Sequence, residues 1–88
     1  MKWKLIFSKQ ADKFLSKLDN NTRKMIVSWL INNINNCENP RLHGKALVGD
    51  KKDYWRYRIG SYRIIADIQD EVIIVEIINI GHRRDVYR

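Results

Sequence analysis

One cysteine in 88 residues is the first thing this sequence is short of, and the shortage excludes a class of fold. A lone thiol, Cys37, closes no internal disulfide, and no Cys and His cluster has zinc spacing. A disulfide-stapled or zinc-built domain is therefore not expected, nor is a metal or other cofactor. Cys37 itself reads as a small hydrophobe near a helix end. No apolar run approaches the roughly 20 residues needed to span a bilayer. The opening "MKWKLIF" lacks the long apolar stretch and small-residue cleavage site of a signal peptide. The expectation is a soluble, cytoplasmic protein with no membrane partner.

Acidic residues are also scarce. Lys and Arg number 17 against 10 Asp and Glu, a formal charge of +7, which favours a polyanionic partner. The excess is spread along the chain: residues 1–40 carry seven basic and three acidic side chains, residues 41–88 ten and seven. There is no basic tail, so an anion site has to be assembled by the fold. At this length one domain, residues 1–88, is all the chain can build, and its core must be efficient.

Patterning gives the order of elements. In "KWKLIF" Trp3, Leu5 and Phe7 alternate with Lys2 and Lys4, as in a half-buried strand. Ser8 offers an N-cap, and Ala11, Phe14, Leu15 and Leu18 then follow at the spacing of an amphipathic helix. That helix ends near "DNN". Asn21 or Thr22 can cap a second helix, with Met25, Ile26, Trp29, Leu30 and Ile34 as a wide apolar stripe, stopped by "NNCENP" and its single proline. So short a link makes the two helices a hairpin.

Residues 41–53, with Gly44 and Gly49 and little periodicity, read as a loop. The chain then turns β-branched and aromatic in "YWRYRI", "YRIIADI" and "VIIVEIINI", which read as three strands, the last ended by Gly81. Being apolar on both faces, that last strand is expected to be central and covered on each side. The fold class is α+β: a small, mainly antiparallel sheet with an N-terminal helical hairpin on one face, in the order β-α-α-β-β-β.

Charge gathers at one hairpin. In "WRYRIGSYR" only Gly60 and Ser61 separate two strands, which suits a two-residue primed turn and sets the register. Ile59 then faces Tyr62, Arg58 faces Arg63, Tyr57 faces Ile64, and Arg56 faces Ile65. The aromatic and aliphatic residues fall on one face; Arg56, Arg58 and Arg63 fall on the other. Two guanidiniums directly across from each other repel by some tenths of a kcal/mol up to about 1 kcal/mol. An anion over them removes that conflict, and paired guanidinium hydrogen bonds suit a phosphodiester. The ending "NIGHRRDVYR" adds His82, Arg83, Arg84 and Tyr87. His82 is the group there whose ordinary pKa lies near neutrality, and Tyr87 can stack on a base. Lys45, Lys51, Lys52 and Arg84 are further candidate RNA contacts.

The element order, "YWRYRIGSYRII" and the terminal "IGHRRDVYR" together resemble the RelE branch of the RelE/ParE superfamily of type II toxins. The resemblance implies a RelE-like fold and a toxin that acts as a metal-independent endoribonuclease, cutting mRNA in the ribosomal A site and neutralised by a cognate antitoxin. It also implies a site made of Arg56, Arg58, Arg63, Arg83 and Tyr87. Some relatives carry lysine where this chain has Arg56 and Arg58, and arginine, with a pKa above about 12, is no general base. His82 is then the best substitute by chemistry, unless the ribosome or the RNA takes the proton. The antitoxin is expected to be acidic and to cover the arginine face or the central strand. Two other readings remain open here: a ParE-like DNA gyrase inhibitor, and an RNA-binding module without catalysis.

Overall fold

A computed structural model of the chain describes residues 2–47 and 54–82. Among these, the elements run β1 (Lys4–Phe7), α1 (Lys9–Ser16), α2 (Asn20–Asn33), β2 (Lys45–Ala46), β3 (Trp55–Ile59), β4 (Tyr62–Gln69) and β5 (Ile74–His82). The strands form one sheet in the order β1-β5-β4-β3-β2, antiparallel except for the parallel β1–β5 pair. The expected α+β architecture is present, with one addition. Within the stretch read as a loop, Lys45 and Ala46 pair with Arg56 and Trp55 as a two-residue edge strand.

The helices start where side chains supply the missing backbone partners. Ser8 Oγ accepts from the Ala11 N–H and donates to the Ile78 carbonyl at 2.7 Å, so one hydroxyl both caps α1 and ties it to β5. For α2 the cap is Asp19, not Asn21 or Thr22: its carboxylate accepts from the Thr22 N–H and hydroxyl. Asp in extended conformation one residue before the helix does this better than a residue already inside it. These bonds hold the Asp19 carboxyl below its ordinary pKa.

One sheet face carries the core. Ala11 and Leu15 of α1 and Ile26 and Leu30 of α2 are buried against Tyr57, Ile59, Ile64, Ala66, Val75, Ile77 and Ile80. Trp3, buried, and Leu5 and Phe7, half-buried, join them from the β1 side. The α2 stripe is narrower than its sequence suggests, because Met25 stays 44% exposed beside the turn at Gly60. Tyr57 is wholly buried, and its hydroxyl donates to the Pro40 carbonyl at 2.5 Å. Burial pushes this phenol well above the usual tyrosine range, so it stays a donor.

Two backbone features fix how the last strand is presented. Ile73, in the β4–β5 turn, has φ +58°, a costly conformation for a β-branched residue, and its carbonyl accepts from Lys4 N–H at 3.0 Å. Further along, a bulge opens in the β4–β5 ladder: Ile65 pairs with Asn79 and Ala66 with Ile77, leaving Ile78 as the extra residue. After the bulge Ile80 points into the core, and Gly81 lies in the strand opposite Arg63. Gly81 therefore continues β5 where its sequence suggested a break, because the pairing with β4 runs on to His82. No helix among the described residues is long and apolar enough to cross a membrane.

Candidate functional site

The β3–β4 hairpin has the register that its two-residue turn requires. Ile59 pairs with Tyr62, Arg58 with Arg63, Tyr57 with Ile64 and Arg56 with Ile65. Gly60, at φ +58°, takes the left-handed position of the turn. Side chains alternate across the sheet from there. Tyr57, Ile59 and Ile64 enter the core with the helices, which puts Arg56, Arg58 and Arg63 together on the opposite face.

On that face Arg58 and Arg63 form the second pair from the turn. In a two-residue hairpin this is a non-hydrogen-bonded pair, with Cα atoms about 4.5 Å apart and side chains at their closest. Arg58 is exposed, whereas Arg63 is only 5% exposed. Few arginines are so deeply buried. On its other side Arg63 faces Gly81, which brings no side chain to crowd the guanidinium. The bulge creates this match, since a ladder without the extra residue would set Ile80 beside Arg63.

The edge strand widens the basic surface. Lys45 pairs with Arg56, so its side chain rises on the same face. Gly44, Lys45, Arg56 and Arg58 line a concavity of ≈ 200 Å³. Gly44, at φ +81°, lies so close to β3 that a Cβ there would run into the Arg56 carbonyl oxygen and press on Trp55 Nε1 and Tyr57. The loop is pinned as well by Trp55 Nε1, which donates to the His43 carbonyl at 2.6 Å. Lys45 thus joins the arginines through a strand too short to show any periodicity.

The histidines lie elsewhere. His82 pairs with Tyr62, and their rings meet edge to face at 5.6 Å; Tyr62 in turn meets Phe14 of α1 at 6.3 Å. That chain of contacts puts His82 on the helix-bearing face, away from Arg58 and Arg63. His43 sits against Trp29 of α2 at 5.4 Å, and Trp29 against Tyr57 at 5.7 Å. Strand alternation explains the result for His82: it follows Gly81, and Gly81 shares the arginine face. Among the described residues, the arginine face therefore carries guanidiniums, ammoniums and carboxylates but no imidazole. Lys51, Lys52, Arg83, Arg84 and Tyr87 lie outside the described residues.

Comparison with known proteins agrees with this arrangement. A family model, the ParE toxin of the type II toxin–antitoxin system parDE, matches residues 5–87. No curated protein sequence matches significantly. Among solved structures, the toxin–antitoxin complex RelBE2 from Mycobacterium tuberculosis superposes with a TM-score of 0.83 at 26% identity, covering 97% of this chain and 95% of the other. A mutant of the E. coli toxin RelE in the free state gives 0.77 at 26% identity over 99% and 90%. The intact E. coli RelBE toxin–antitoxin complex gives 0.73 at 27% identity over 91% and 95%. The strand order, the buried arginine of the hairpin and a family match spanning almost the whole sequence lead to one assignment: the chain belongs to the ParE toxin family of type II toxin–antitoxin systems, in the RelE branch of the RelE/ParE superfamily.

Proposed function

We propose that this toxin is a ribosome-dependent endoribonuclease that cuts mRNA in the A site and is silenced by a cognate antitoxin. The observation that carries this reading is the Arg58–Arg63 pair, two cations set directly across a hairpin with one of them 5% exposed. Two cations directly across a hairpin repel each other, and burying a guanidinium costs desolvation. What the fold gains is a rigid anion receptor, and rigidity is what stabilises charge developing in a transition state.

The reaction that suits these groups uses the RNA's own nucleophile. The 2′-oxygen attacks the adjacent phosphorus, its proton leaves to a base, and the P–O5′ bond breaks as the 5′-oxygen gains a proton. The products are a 2′,3′-cyclic phosphate and a 5′-hydroxyl. Arg63 clamps the phosphorane, with Arg58 and Arg56 neutralising its charge, Arg83 near the leaving oxygen, and Tyr87 stacked on a nucleotide. His82 has no part in this scheme, since it faces the helices. With arginines unable to accept a proton, we assign the base to the ribosome or the RNA. That assignment also accounts for dependence on the ribosome.

The RelE structures in complex with RelB antitoxins support an antitoxin partner for this chain as well. An acidic segment laid over the arginine face would silence it by occupying the phosphate's place. A purified translation system with a defined codon in the A site tests the proposal: mRNA cut to a cyclic-phosphate end is the expected result. Arg63→Ala should slow that cut by about 10² to 10³. Inhibition of gyrase supercoiling without cleavage would favour the ParE-type activity instead. Salt-sensitive binding without either would leave a binding module, and an Arg63→Ala variant that cuts at the parent rate would refute the clamp.

A further inference from the structure

The helix-free face is electrically divided along β4. Arg63, Ile65, Asp67 and Gln69 alternate onto it, so a cation and an anion stand four residues apart, about 13 Å at the rise of a strand. Each is doubled by its cross-strand neighbour: Arg58 faces Arg63, and Glu76 faces Asp67. Two carboxylates directly opposite repel as two guanidiniums do. Here the conflict is held in place by Gln69, whose Nε2 donates to Asp67 Oδ2 at 3.2 Å and to Glu76 Oε1 at 3.1 Å. In the turn after β4, Glu71 adds a carboxylate at the same end, whereas Asp70 is paired with Arg41 at 2.8 Å and Lys4, beside Ile74, brings one cation to this face. Buried Ile65 separates the two charged rows.

We propose that the Asp67–Glu76 pair is an electrostatic border that confines an RNA strand to the hairpin end of this face and makes it cross the strands instead of following them. The inference rests on the RNA-cleaving reading above and says where the polyanion lies. The basic groups run across the sheet: Lys45 on β2, Arg56 and Arg58 on β3, Arg63 on β4. From β2 to β4 is two strand spacings, about 10 Å, enough for about two nucleotides. A strand following β4 would bring its phosphates over Asp67 and Glu76, where like charges repel at short range and salt screens them least. Direction along the face is thus set by repulsion at one end as much as by attraction at the other.

The test uses the full chain and 2′-O-methyl oligouridylates, which lack the attacking hydroxyl, of about 4 and about 12 nucleotides at about 50 mM salt. The parent is expected to bind both lengths with similar affinity, because the track is short. Asp67→Asn/Glu76→Gln keeps amide-sized side chains beside Gln69 and removes the border. It should bind the long probe roughly threefold to tenfold more tightly than the parent and leave the short probe within about twofold. Asp12→Asn/Glu38→Gln, on α1 and in the loop after α2, makes the same change in net charge and should shift neither probe selectively. Should the double border variant not fold by circular dichroism, Asp67→Asn and Glu76→Gln singly carry the same sign. Equal tightening for both lengths, or by the control variant, would overturn the border while leaving RNA binding intact. A parent that binds neither probe would remove the RNA reading and the border together.

Discussion

The two faces of the sheet obey opposite rules. On the helix side, Tyr57, Ile64, Val75 and Ile77 are buried among apolar side chains, and even the tyrosine hydroxyl has its acceptor at Pro40. On the other side, like charges stand across from one another at both ends, Arg58 with Arg63 and Asp67 with Glu76. The first face is where apolar burial stabilises the fold; the second sets like charges across from one another, which by themselves repel. Residues on the helix side should therefore report on stability and residues on the far side on function, and the separation can be broken in either direction.

The largest effect expected is on the stabilising face. Leu30→Ala opens a cavity in the α2 contact and should cost about 2 to 5 kcal/mol, read from a urea titration, with cleavage per folded molecule unchanged. A loss of cleavage beyond the loss of folded protein would mean that the faces are coupled. Next comes Arg58→Gln, for which the two readouts should diverge. Cleavage is expected to fall roughly a hundredfold, while the melting temperature rises by the equivalent of some tenths to about 1 kcal/mol as the like-charge pair is relieved. A destabilised variant would show that Arg58 is part of the scaffold.

Smaller still is the expected change for His82→Gln. With its ring against Tyr62, this histidine should leave the pH profile of cleavage unaltered and shift stability by no more than about 0.5 kcal/mol. A missing alkaline limb would place it back among the catalytic groups.

The smallest change expected is an acid one. Hydrogen bonds from Thr22 to Asp19, and from Arg41 to Asp70 at 3.0 and 2.8 Å, hold both carboxyls below the ordinary 3.8. A lowered folded-state pKa means stability that is present above that value and lost as pH falls through the folded pKa below it. Melting curves taken from neutral pH down to acid should decline there, and Asp70→Asn should shallow the decline slightly, since the Arg41 pair is exposed to solvent.

How far the sequence revealed this arrangement depends on how local each cause is. The hairpin register followed from two turn residues, Gly60 and Ser61, and with it the confrontation of Arg58 and Arg63. The first strand and the first helix cap followed from alternation and from Ser8. The bulge at Ile78 was not legible: no local pattern marks it, and its carbonyl is held by Ser8, in a distant part of the chain. Gly81 reads from the sequence as the strand's end for the same reason, and without the bulge the face that His82 takes cannot be counted out. Lys45 escaped as a strand residue because two residues have no period. The burial of Arg63 also depends on neighbours that no local pattern names.

The parallel pairing of β1 with β5 has a consequence for synthesis. Lys4 to Phe7 lie beside Ile74 to Ile77, and the Ser8 hydroxyl that caps α1 also needs Ile78, 70 residues away. β1 thus waits for a neighbour made long after it, and such long-range closure is slow. A nascent chain has the helices and the arginine hairpin in hand well before its edge is sealed. The sheet is complete only after the segment around Ile78 has emerged, 70 residues behind Ser8.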